Sequence, residues 1–361
     1  MTLQPNKEDV QANPVAAKPA AVLGIFDFSY QHYALGDLLT SQVELAIMAI
    51  EQNLEHVDVV AMVNPRLPAA AFQRHIVPDN YLTYFDNILP VFACNPMLRS
   101  LQLVRDIETL SLMLLSRRKS GDPMWPAPFT HIKMRQDYPI GYHRFNAFHA
   151  RHGYLPQLCA PRHYQDWARG FHERELAARS LAVINPRQSS LTSNLAATYR
   201  DAPLESWHGF IDTVAVRRPD VLFVMVGGYR EWEHSLLRRS NVFIPRAFGL
   251  SLAHELALMK IADLFMGTPS GFSAFATFTN IAYAILNMEH RFAEYGEISP
   301  GDRRYPFAHA NQVLTWHRET TDELLSVFEE LCTHLRPNRA AKSDNPSAGS
   351  AHADDAMARQ P

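Results

Sequence analysis

Ile261-Ala262-Asp263-Leu264-Phe265-Met266-Gly267-Thr268-Pro269-Ser270-Gly271-Phe272-Ser273 is the stretch on which the fold turns. Leu264–Met266 is apolar and short, as a buried strand is, and Gly267 ends it. Pro269 and the flanking glycines shape a tight turn, and Ser270 or Ser273 can cap a helix that runs from Ser270 to Phe278. A helix that starts this way presents backbone N–H groups and the positive end of its dipole, and the hydroxyls of Thr268, Ser270 and Ser273 add donors. The stretch therefore reads in two ways, as an ordinary capped turn or as a seat for an anion. Its position favours a ligand, because open α/β sheets bind beyond the carboxyl ends of their strands.

Working outward, the same alternation continues. Leu181–Asn185, Val221–Val226, Asn241–Ile244 and Ile281–Leu286 read as strands. Leu204–Arg217, Ser251–Ala262 and Thr321–Leu335 read as helices. Upstream, Val22–Phe28 and Val57–Val63 are buried strands around a helix that begins near Asp37, which makes a βαβ unit and a parallel sheet. Ile76–Phe92 reads as loop-rich, Leu98–Leu115 as a long helix, Gly121–Pro161 as irregular, and Tyr164–Ala178 as a helix leading into the second half. The expected architecture is α/β with two Rossmann-like domains. Residues 21–175 form the first and 176–336 the second, and the Ala/Pro/polar ends 1–20 and 337–361 are expected to be disordered tails.

Composition narrows the function. The formal net charge of −3 gives no footing for general nucleic-acid binding. The three cysteines are far apart and form no C-x-x-C, so a disulfide framework and a cysteine zinc site are excluded, and a reducing cytoplasm is the expected location. No signal peptide is visible, and no apolar run approaches the ~18–20 residues that span a bilayer. His143, His149 and His152 include an H-x-x-H pair without a carboxylate to complete a zinc set, so no metal and no cofactor are expected. Contact with a polar substrate is the better use for that segment. There is no D-x-D suited to a divalent ion on a sugar diphosphate.

Arg187 stands just past the Leu181–Asn185 strand, where its planar fork can reach the same crevice as the Gly267 turn, and Arg200 is a second candidate. Gly227-Gly228 would let a ligand or another backbone come close. In the first half, Gly36-Asp37 puts a carboxylate at the mouth of the first sheet. Asp37 is placed either to cap its helix or to act as a general base on a hydroxyl.

Together these pieces resemble glycosyltransferases of the GT-B class. Ile261–Phe275 and Tyr283–Asn287 are similar to the donor-binding segment of the fucosyltransferase-like and heptosyltransferase-like branches, and Asn311–Trp316 with the last helix is placed as in those enzymes. Gly36-Asp37-Leu38-Leu39-Thr40 resembles the heptosyltransferase G-D-x-x-x-T segment. The heptosyltransferase turn reads Asp-Thr-Gly-x-x-His; here Gly267 stands in place of that Asp and Ser273 in place of the His. Of the fucosyltransferase-like His-x-Arg, only Arg187 carries over. The resemblance implies a metal-independent, inverting transfer from a nucleotide-diphosphate sugar to a hydroxyl of a glycan, lipid-linked or protein acceptor, with peripheral membrane contact open. It implies Asp37 as base, and Arg187, Arg200, Gly227, Gly228, Thr268, Ser270, Gly271 and Ser273 around the donor. A sugar-nucleotide epimerase or hydrolase, or a non-catalytic partner of the same fold, remains open beside it.

Overall fold

A computed structural model describes residues 21–28, 34–62, 79–126, 141–176, 179–188, 199–228, 234–289, 293–294 and 296–343. The expected N-terminal tail and the end of the C-terminal one lie outside them. The chain builds two parallel sheets. The first has strands β1 (Ala21–Asp27), β2 (His56–Met62), β3 (Leu98–Val104) and β4 (Met124–Trp125) in the order β3-β2-β1-β4. The second has β5 (Ser180–Asn185), β6 (Val221–Met225), β7 (Val242–Phe243), β8 (Leu264–Gly267), β9 (Ala282–Ile285) and β10 (Gln312–Leu314) in the order β10-β9-β8-β5-β6-β7. Counted from β5, that is the doubly wound 3-2-1-4-5-6 arrangement, with its reversal between β5 and β8.

The helices are α1 (Leu35–Glu51), α2 (Tyr81–Phe92), α3 (Ile107–Ser120), α4 (Tyr142–His152), α5 (Arg162–Glu175), α6 (Leu204–Arg217), α7 (Leu252–Ile261), α8 (Gly271–Thr277) and α9 (Thr321–Ser343). One continuous apolar core joins both sheets. It runs from Phe26, Val57 and Val59 under α1 and α2 to Val183, Val224 and Phe265 under α7 and α8. The outer face of the second sheet is sealed separately by α6 and α9, through Trp207, Phe210, Leu324 and Phe328. The outer face of the first sheet has α3, with Leu110 and Leu114 against Leu23, Ile25, Val60 and Met62.

The five strands expected in the second half fall within a residue or two of where the alternation puts them, and Gln312–Leu314 adds a sixth that was not expected. The first half departs from expectation in four places, one of them the short strand β4 within the stretch read as irregular. Leu98–Val104 is a strand, β3, and the helix begins only at Ile107, where the Asp106 side chain accepts from Thr109 N–H at 2.7 Å. Asp106 is an N-cap, which fixes the start of α3 and separates it from the apolar residues before it. Tyr81–Phe92 is helical, with Pro90 inside its last turn. Within the stretch read as irregular, Tyr142–His152 forms α4, anchored by the buried Phe145 and Phe148. At the other end α9 continues to Ser343, past Leu335.

Candidate functional site

The reversal between β5 and β8 places two strand ends side by side. Asn185 pairs with Gly267, and a Cβ on Gly267 would meet the Asn185 carbonyl oxygen at 2.9 Å and Phe265 Cζ at 3.0 Å. Only glycine lets β8 end that close to β5. The Asn185 amide donates to Val226 O at 2.7 Å, which ties the end of β5 to the end of β6. Gly227 then donates its N–H to the fully buried carboxylate of Glu255 at 3.1 Å. The Gly227 backbone therefore approaches Glu255, while Gly228 follows it at the crevice, half-buried.

The turn after β8 is held by its own serines. The Ser270 hydroxyl accepts from Ser273 N–H at 3.2 Å, and Ser273 Oγ accepts from Ser270 N–H at 2.8 Å and donates to Ser270 O at 2.7 Å. This reciprocal capping box starts α8. It commits the Ser273 proton to Ser270 O, while the Ser270 hydroxyl serves the box only as an acceptor. Thr268 is completely buried, and its hydroxyl finds no hydrogen-bond partner. Thr268 and Ser273 are buried in the turn, Ser270 is half-buried, and the N–H groups of Gly271 and Phe272 lie on the first turn of α8.

The cations come from past β5. Arg187 Nη1 donates to Pro269 O at 3.4 Å, and Arg200 Nη1 donates to the same oxygen at 3.3 Å. The backbone brings them together: Ala202 N–H donates to Arg187 O at 3.0 Å, and Gln188 Nε2 donates to Ala202 O at 2.8 Å. Arg200 also lies over the Tyr199 ring, 5.4 Å from its centroid. Through that oxygen the two Nη1 atoms lie within about 7 Å of each other, at which like charges repel. An anion at this point would be held by both.

The first half meets this turn directly. A Cβ on Gly36 would lie 3.6 Å from Gly271 Cα, and one on Gly271 would come within 2.5 Å of Leu35 Cβ. The starts of α1 and α8 thus touch through two glycines. Asp37, next in the chain, sits in the first turn of α1, where the helix dipole favours a carboxylate. It is not the N-cap: that position is Ala34, which makes no side-chain cap. Burial pushes the Asp37 carboxyl up to about 6, against the opposing pull of the Arg200 charge. A carboxylate so tuned is a competent general base near neutral pH.

Sequence reasoning missed the bolt on the far side of the crevice. Arg246, after β7, donates Nε–H to Glu255 Oε2 at 2.8 Å and Nη1–H to Asn87 of α2 at 3.3 Å. Both charges are buried. No local motif marks them, since the pair is formed by residues from different elements. His143, His149 and His152 fall on α4, where His152 stacks on Phe148.

No protein-family model matches the sequence, and no curated protein does. Solved structures do. ADP-heptose LPS heptosyltransferase II of E. coli aligns over 88% of this chain and 99% of its own, at a TM-score of 0.55 and 13% identity. A glycosyl transferase family 9 protein from Veillonella parvula aligns over 88% of this chain and 98% of its own, at 0.54 and 12%. The fold is GT-B. At these identities the likeness is one of architecture, that of two Rossmann-like halves. Among the described residues of this GT-B chain, no helix is long and apolar enough to cross a membrane.

Proposed function

We propose that the protein is a glycosyltransferase that moves a sugar from a nucleotide-diphosphate sugar to a hydroxyl acceptor. The observation that carries this is the meeting of Arg187 and Arg200 on one carbonyl, that of Pro269, with the half-buried Asp37 carboxylate on the first turn of α1, whose start touches that of α8. In this reading residues 176–336 bind the donor and residues 21–175 the acceptor. The two guanidinium groups and the Gly271 and Phe272 amides receive the diphosphate and stabilise the charge that builds on it as the glycosidic bond breaks. The Ser270–Ser273 box holds those amides in place, Gly267 and Thr268 fix the strand end beneath them, and Gly227-Gly228 borders the nucleoside.

Asp37 takes the proton of the acceptor hydroxyl as that oxygen attacks the anomeric carbon. A base on one sheet and a leaving-group site on the other place attack and departure on opposite sides, which favours inversion. Positive side chains stand where other transferases use a divalent ion. The fold shared with structures titled as a heptosyltransferase and a family 9 transferase supports this assignment. The test is a thermal-shift screen with pyrophosphate, nucleoside diphosphates and nucleotide-sugars, since a ligand that binds only the folded state raises its melting temperature. Stabilisation by a nucleoside diphosphate, lost in Arg187→Ala, is the expected result. A flat response across the panel would sink the reading.

A further inference from the structure

We infer that Cys94 and Cys159 form a reversible redox site, a pair of thiols that a small-molecule disulfide such as oxidised glutathione converts into a bond between them. The site is independent of the functional reading above and uses none of its residues.

The two cysteines are far apart in the chain and meet in the fold. Cys94 follows the last turn of α2, Cys159 lies between α4 and α5, and both are free thiols. Cys159 N–H donates to Cys94 O at 2.9 Å. Given the fixed covalent reach on either side of that bond, their Cα atoms stand no more than about 6.8 Å apart, and the bend at the amide nitrogen makes the separation shorter. Bridged cysteines have Cα atoms ~4.4–6.8 Å apart, so the backbone is already at bridging distance. Both sulfurs are loosely held. Cys94 Sγ donates to Pro90 O at 3.6 Å, and Cys159 Sγ accepts from Gln165 Nε2 at 3.7 Å. Sulfur is a weak donor and a weak acceptor. Gln165 Nε2 also donates to Ala160 O at 2.5 Å, so it keeps a partner when Cys159 turns toward Cys94. Cys332 lies elsewhere, on α9 against the core under α6.

Exposure orders the chemistry. Cys94 is fully buried, and burial raises its thiol far above the ordinary range, so it does not meet an oxidant by itself. Cys159 is half-buried and within reach. Its thiolate attacks one sulfur of oxidised glutathione, the S–S bond breaks, and one glutathione thiolate leaves. Cys94 then gives up its proton, attacks the Cys159 sulfur of the mixed disulfide and expels the second glutathione. The protein loses two hydrogens with two electrons, and one oxidised glutathione becomes two reduced ones. The bond falls on a strap between the halves. Leu158 N–H donates to Phe278 O, at the end of α8, at 2.8 Å, and Asn95 Nδ2 donates to Gln42 O of α1 at 3.2 Å. Oxidation thus fastens α1 and α2 covalently to the segment that grips α8.

The experiment incubates the full chain with glutathione at increasing ratios of oxidised to reduced form, quenches it in acid and alkylates it under denaturing conditions. Intact mass counts the free thiols, and a non-reducing peptide map places any bond. Free thiols are expected to fall from three to one, with the peptides of Cys94 and Cys159 joined, and dithiothreitol is expected to restore all three. The linked form is expected to melt at a higher temperature than the reduced one, because a cross-link that closes a long loop restricts the unfolded chain. In Cys159→Ala both remaining thiols are expected to stay free; loss of one there overturns the order of attack. Three free thiols at every ratio, a glutathione adduct on Cys159 that Cys94 never displaces, or a bond that includes Cys332 overturns the proposal. So does a linked form that melts below the reduced one, since the bond would then form at the expense of the fold.

Discussion

The carboxyl ends of the two sheets do opposite things with the same topology. Both sheets reverse strand order beside their first strand, between β1 and β4 and between β5 and β8. At the second reversal the chain builds a tight, self-capped turn and gathers two cations on it. At the first it offers an anion from the opening turn of α1. Their outer faces differ too. The second sheet is sealed by α6 and the 23-residue α9, while among the described residues α3 is the helix on the outer face of the first, with Ile107, Leu112 and Leu115 exposed. The contrast sets the two proposed roles apart: the arginines assigned to the donor sit on the half sealed by two helices, and the carboxylate assigned as base sits on the other.

The strongest way to break that division is Asp37→Asn. Sugar transfer is expected to fall ~10²–10⁴-fold, the usual contribution of a positioned base, while pyrophosphate binding persists. Transfer retained in a coupled donor-consumption assay would return Asp37 to a structural role. Next comes the bolt. Glu255→Gln leaves the Arg246 guanidinium buried without its counter-charge and is expected to cost ~3–5 kcal/mol in urea unfolding. A loss below about 1 kcal/mol, the scale of an exposed pair, would mean that water reaches the pair.

Asp37 also has a stability signature of the opposite sign. Its folded-state carboxyl stands at about 6 against an ordinary 3.8, so ionisation penalises the fold above pH 6, and the penalty fades as pH falls from 6 toward 3.8. Asp37→Asn should therefore stabilise the protein at pH 7.5, by on the order of 2 kcal/mol, and have no effect at pH 3.5. Denaturant melts at the two pH values check this; equal effects at both would contradict it.

The smallest expected difference is the sharpest. Gly271→Ala forces a methyl group into Leu35 and should cost ~1–3 kcal/mol, whereas Gly36→Ala meets Gly271 at ordinary contact distance and should be nearly neutral. Paired melts of the two alanine variants decide whether the helix starts touch as described.

Much of this was legible in the sequence, unevenly. The second half reads well because each strand is a short apolar run bounded by Gly, Pro or Asn, so burial on both faces and turn chemistry agree. The first half misleads at Leu98–Leu115, where apolar residues at both helical and strand spacing run together and only the Asp106 cap divides them. Arg187 and Asp37 were visible from their places beyond strand ends. The convergence of Arg187 and Arg200 on Pro269 O was not, because a shared acceptor depends on the path of two loops. Nor was the use of Ser270 and Ser273 in a reciprocal capping box: a hydroxyl that caps a helix and one that greets a ligand have the same residue type, and only hydrogen-bond geometry separates them. The Arg246–Glu255–Asn87 link has no linear signature at all.

Ala202 is held to the end of β5 by both of its backbone groups: its N–H donates to Arg187 O and its carbonyl accepts from Gln188 Nε2. The spacing of Arg187 and Arg200 is therefore set by two atoms of one alanine, and not by the length of chain between them. Gln188→Leu removes one of the two bonds and leaves the backbone bond to hold the register alone.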